Sequence, residues 1–196
     1  GSSVDIERAK TYLTSVTNEQ ETLVKSAYKK MLSQGLEAVS IKQENATAPI
    51  VSGTYTGAEG TYYISIYSSG GASGVSMSVT GLESDTQGIL FNQKIPLGTH
   101  GLYVTFSTGL YAGSKWQIEI PNNSSSEYVI NKNAYDEAVR TKDRVIADAR
   151  QALEKLQAEE SVISSFIGVA QANVLAIQAN IARRSIIAPF SGKIGS

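Results

Sequence analysis

The 196-residue chain contains no cysteine, which excludes disulfides, thiolate metal ligands and cysteine nucleophiles. It has one histidine, His100, set in a Gly-Thr-His-Gly turn. A single imidazole without thiolates or neighbouring acids makes a poor metal site and has no visible triad partner. Charge is scarce too, at 18% of residues, where about a quarter is usual. Ser, Thr, Asn, Gln and Gly fill the deficit and give a solvated but weakly charged surface. With 17 basic against 18 acidic residues the formal net charge is -1. That balance lacks the clustered excess of Lys and Arg that neutralises phosphates, so nucleic acid is excluded as a partner.

No unbroken run of about 18 apolar residues is present, so no transmembrane segment is expected, and there is no signal-peptide pattern. The glycines of Ser68 to Gly74 lack the lysine and following helix that a phosphate cradle needs. Glu159 and Glu160 are adjacent on a helix, so they point in different directions and form no paired-carboxylate site. Neither an enzymatic activity nor a cofactor or metal is expected. Residues 1–3 read as the scar of a cleaved tag, and the rest as a piece of a longer protein.

Three segments follow. In residues 4–45, apolar positions recur at Ile6, Ala9, Leu13, Val16, Leu23 and Ala27, three or four apart, with Gln20 the polar interruption. That period is the seam of a coiled coil or helical hairpin. Residues 46–122 change character, holding most of the Gly and six of the ten Tyr. Runs such as Tyr62 to Tyr67, Val75 to Val79, Leu102 to Phe106 and Trp116 to Ile120 alternate with period two, between turn signals such as Ser69-Gly70-Gly71. Roughly five to seven short strands of this kind predict a small antiparallel β-sandwich. Trp116 shares the inward face with Ile118 and Ile120. Tyr63 and Tyr67 share the opposite face and are the candidates for a ligand surface.

Residues 123–184 carry a second seam: Tyr135, Val139, then Ile146, Ala149, Leu153, Leu156, Ile163, Ile167, Ala170, Val174, Ile177 and Ile181, interrupted by Lys142 and Glu160. About 50 residues at 1.5 Å each make a rod of roughly 75 Å. A single amphipathic rod cannot bury its stripe alone, and the first helix is the expected antiparallel partner. The predicted fold class is therefore α+β, a long antiparallel coiled-coil hairpin with a β-sandwich inserted between its arms. The second arm is the longer, and its excess reflects either truncation of the first arm or a face for another partner.

After Arg184 the pattern breaks at Ser185-Ile186-Ile187-Ala188-Pro189-Phe190-Ser191-Gly192-Lys193-Ile194. A long helix running into Ile186, Ala188, Pro189, Gly192 and Ile194 resembles the HlyD-type membrane fusion proteins, or periplasmic adaptors. In that family the hairpin returns through such a segment into a lipoyl-like domain. The resemblance implies a non-enzymatic adaptor that is periplasmic or extracytoplasmic and membrane-anchored in its full length. It also implies an inner-membrane transporter as partner, an outer-membrane channel or envelope component beyond it, and self-association into a ring. Residues 185–196 would begin the second lipoyl-like half. The family's docking-tip motif of Arg, Leu and Ser has no match near Gln34 to Asn45 or Asn122 to Arg144, where the β-segment stands instead.

Within that segment, Gly53-Thr54-Tyr55-Thr56-Gly57 and Gly98-Thr99-His100-Gly101 resemble repeats of bacterial surface and appendage proteins. Two alternatives to the adaptor follow. One is a stalked β-sandwich adhesin or carbohydrate-binding module. The other is a flagellar or phage-tail structural component, a class in which helical rods also flank β-inserts.

Overall fold

The structure is a computed structural model and describes residues 2–42, 46–71 and 73–184. It is α+β, with one long C-terminal helix and two small antiparallel sheets. Helix α1 spans Ser2–Ser33. The strands are β1 (Val39–Ser40), β2 (Ile50–Gly53), β3 (Gly60–Ser68), β4 (Val75–Gly81), β5 (Asp85–Gly88), β6 (Lys94–Leu97), β7 (Leu102–Thr105) and β8 (Lys115–Ile120). Helix α2 then runs for 59 residues, Ser126–Arg184. The chain divides into two compact units, Thr17–Arg144 and Gly1–Val16 with Val145–Ser196.

Within Thr17–Arg144, the larger sheet has the order β1-β8-β3-β4-β5 and the smaller β2-β7-β6, and every pairing is antiparallel. Alternation in β3 and β8 turns Tyr62, Ile64, Ile66, Trp116, Ile118 and Ile120 inward, and all six are buried. The smaller sheet adds Ile95, Leu97, Leu102 and Val104, and α1 adds Met31 and Leu32, to one continuous core. Phe106 lies against Trp116, with ring centroids 6.1 Å apart.

Sequence periodicity carries the first helix toward residue 45, but α1 ends at Ser33. Gly35, two residues on, adopts φ +69°, a left-handed conformation that closes a helix at little cost only for glycine. Its carbonyl accepts a hydrogen bond of 2.7 Å from Asn122 Nδ2. The same corner starts α2, where Ser125 Oγ accepts the Glu127 N–H at 3.2 Å as an N-cap. Tyr28 of α1 meets Tyr135 of α2 at 5.4 Å between ring centroids.

In the other unit, Ile6 and Val16 of α1 and Ala149 of α2 are buried. Ile146, Leu153 and Leu156 are half-buried, and from Ser161 onward every described residue of α2 is exposed. The expected lipoyl-like positions Ile186, Ala188, Pro189, Gly192 and Ile194 lie outside the described residues.

Candidate functional site

Two features of the chain offer chemistry to a partner: the distal part of α2 and the outward face of the larger sheet. The first is the more unusual. Nine large apolar side chains, among them Ile163, Phe166, Ile167, Val174, Leu175, Ile177 and Ile181, stand between 50% and 71% exposed on consecutive turns. Period-3.6 spacing lines Ile163, Ile167, Ala170, Val174, Ile177 and Ile181 along one stripe. Sequence periodicity names those six. It misses Val162, Phe166 and Val169, which widen the stripe on one flank, and Leu175 on the other. The signal that finds them is a run without charge from Ser161 to Ala182, between Glu160 and Arg183.

That run also changes one expectation. No unbroken apolar run exists, yet α2 holds an 18-residue window apolar enough, by length and composition, to cross a membrane. Small residues and amides occupy it in place of charges. It is the one such helix among the described residues.

The remaining seam positions divide by depth. Ile6, Val16 and Ala149 are buried, and Ala9, Leu13, Ala27, Ile146, Leu153 and Leu156 are half-buried. Leu23 is exposed beside Gln20 and Ala27, and with Ala134 and Ala138 of α2 it lines a shallow apolar groove.

On the larger sheet, Tyr63 and Tyr67 point outward, 43% and 39% exposed. Four residues along a strand separates them by roughly 13 Å. Between and beside them lie Ser65, its neighbours Ser78 and Lys115, and the cross-strand partners Thr80, Gln117 and Ser76. The face is hydroxyl-rich and nearly free of charge, with Ser76 buried and its hydroxyl donated to Ser69.

A polar cluster ties the turn after β4 to the turn after β6. The Glu83 carboxylate accepts the Thr99 N–H at 3.0 and 3.1 Å, the Thr99 hydroxyl at 2.6 Å, and the Tyr62 hydroxyl. These bonds, with Thr99 first and Tyr62 next, hold the Glu83 carboxyl below its ordinary value. Burial and then the Glu83 bond push the Tyr62 phenol up. Burial also raises Tyr28, to about 12, with help from its 2.9 Å hydrogen bond to Glu59. His100 packs its ring edge-on to Tyr55 at 5.9 Å. The cluster holds its carboxylate by donated hydrogen bonds. Among the described residues no group of three or more His, Cys, Asp or Glu is placed to hold a metal.

No sequence profile of a known family matches the chain, and no curated protein matches it. Two solved structures do, both from Legionella pneumophila. One is the flagellar junction protein FlgL, at 17% identity and a TM-score of 0.34, covering 70% of this chain and 54% of that one. The other is flagellar hook-associated protein 3, at 16% identity and a TM-score of 0.35, covering 74% and 56%. The chain thus spans about half the length of either protein, and at these scores the likeness assigns neither family nor activity. Both are flagellar proteins and neither is an adaptor. The adaptor expectation is corrected accordingly. With it go the inner-membrane transporter and outer-membrane channel as partners, the ring in a periplasmic duct, and the membrane-anchored periplasmic location.

Proposed function

We propose that this chain is a structural subunit of an extracellular filament or tail, of the flagellar or phage-tail kind, and not an enzyme. One observation carries the reading: helices flank a β-segment with its own core, while the longer helix leaves its apolar stripe from Ile163 to Ile181 in solvent. Exposing so many large apolar groups along a rod is costly in water, and a contiguous apolar patch of this kind marks an interaction surface.

In this reading α1 and α2 are the antiparallel arms of a hairpin and the two sheets form a sandwich inserted between them. Support comes from the Tyr28–Tyr135 contact in one unit and from Ile6, Val16 and Ala149 buried in the other. In this reading the first arm ends with α1 at Ser33, the β-segment runs from β1 through β8, and the second arm is α2. The arms supply assembly contacts and the sandwich stands as a surface module. Sedimentation of the purified chain over a concentration series tests this. Reversible growth into large species supports the reading, and a constant small species opposes it.

A second reading has an observation of its own in the outward Tyr63 and Tyr67, with the hydroxyl-rich strands beside them. Aromatic faces flanked by hydroxyls and amides suit a glycan, which makes the sheet an adhesive surface. Binding on a glycan array that is lost in Tyr63→Ala and Tyr67→Ala would favour this reading.

A further inference from the structure

Ser161 to Ala182 contains no Asp, Glu, Lys or Arg, and every residue in the stretch is exposed. Charge returns with opposite sign at its two ends: Glu159 and Glu160 before it, Arg183 and Arg184 after it. The spacing of the stripe is symmetric as well. Ile163, Ile167, Ala170, Val174, Ile177 and Ile181 are separated by steps of 4, 3, 4, 3 and 4 residues, the same from either end. The stripe is centred on Ala172, and the charge-free run is centred between Gln171 and Ala172.

We infer that a second copy of this chain docks on this stripe antiparallel to the first, about a twofold axis at the level of Ala172. Turning one helix end for end at that level brings Ile163 of one copy to Ile181 of the other. Ile167 then meets Ile177, and Ala170 meets Val174. The axis repeats each pair, as an isologous contact requires. The alternating steps make these the layers of an antiparallel coiled coil, in which the two kinds of seam position face each other. Small residues at the centre let the helix axes approach, and isoleucines fill the outer layers. The overlap of about 24 residues is roughly 36 Å long.

Charge decides the orientation. The antiparallel turn sets Glu160 of each copy level with Arg184 of the other. A parallel copy would place the glutamates against glutamates and the arginines against arginines, with repulsion at both ends. The amides decide against a lipid occupant. Gln171, Asn173, Gln178 and Asn180 are spread around the helix, and hydrocarbon would leave them without hydrogen-bond partners. In the pair, Gln171 and Asn173 flank the stripe beside the axis, where their amides reach those of the other copy. Its own symmetry closes this contact, so it does not depend on longer assembly.

Because the chain has no cysteine, single cysteines report the register directly. Mixing Ile163→Cys with Ile181→Cys under mild oxidation is expected to yield a covalent dimer, while each alone yields little. Asn173→Cys alone is expected to cross-link to itself. Ile167→Asp combined with Ile177→Asp alters only exposed positions, so circular dichroism should be unchanged while self-association weakens roughly a hundredfold. Three results would overturn the inference. The unsubstituted chain could sediment as a monomer at every concentration. Ile163→Cys could cross-link to itself as readily as to Ile181→Cys, which is the parallel outcome. Or the chain could stay monomeric in water and bind phosphatidylcholine vesicles.

Discussion

Glu83 and Thr99, 16 positions apart, are joined by the threonine's N–H and its hydroxyl, both donated to one carboxylate. This pair locks a turn of the larger sheet to a turn of the smaller. Thr99→Val removes the hydroxyl and leaves the N–H bond, while Glu83→Ala removes the acceptor of both. A hydrogen bond contributes a net of about 0.5–1.5 kcal/mol, and the one from the Thr99 hydroxyl is solvent-exposed. Chemical denaturation should therefore show a loss of about 1 kcal/mol for Thr99→Val and a larger one for Glu83→Ala.

The same carboxylate sets an acid limit. Its pKa is lowered in the folded chain from the ordinary 4.5, so the folded state binds the proton less readily than the unfolded. Its stabilisation is complete above that ordinary value and is lost as the pH falls through the lower folded value. The melting temperature should fall as the pH drops below about 4.5, and the fall should be shallower in Glu83→Gln.

Gly98 sits directly against Glu83 with φ +70°, so an added Cβ would strain the backbone and overlap the carboxylate. Gly98→Ala should cost about 1–3 kcal/mol. By contrast Gly88→Ala has open space at its Cβ and no positive φ, and should be nearly neutral. Equal losses in the two variants would remove the steric account.

Trp116 is fully buried, yet its indole Nε1 has no hydrogen-bond partner among the described residues. Trp116→Phe therefore gives up no hydrogen bond and keeps the contact with Phe106, and should cost less than about 2 kcal/mol. Trp116→Ala empties the site and should cost about 3–5 kcal/mol. Thermal denaturation of both variants separates packing from polarity.

Helix and strand types are legible in the sequence wherever their periods are clean, as in β3, β8 and α2. Elsewhere they are not. The end of α1 depends on the single left-handed residue Gly35, while apolar periodicity continues past it to Val39. Asp85 to Gly88 reads as a turn because it has no apolar alternation, yet it pairs with β4 as an edge strand with little to bury. Pro96 likewise hides β6, and the missing N–H is tolerated because β6 is at the edge of its sheet. The Glu83–Thr99 pair leaves no local pattern at all. Where the stripe of α2 leaves cover is also a tertiary fact, since Leu153 and Ile163 look alike in sequence and only the first is half-buried.

Electron microscopy of the purified chain at rising concentration tests the structural-subunit account most directly. Ordered filaments or tubes should form, with the β-segment folded within them. A folded chain that shows no ordered assembly at any concentration would contradict it.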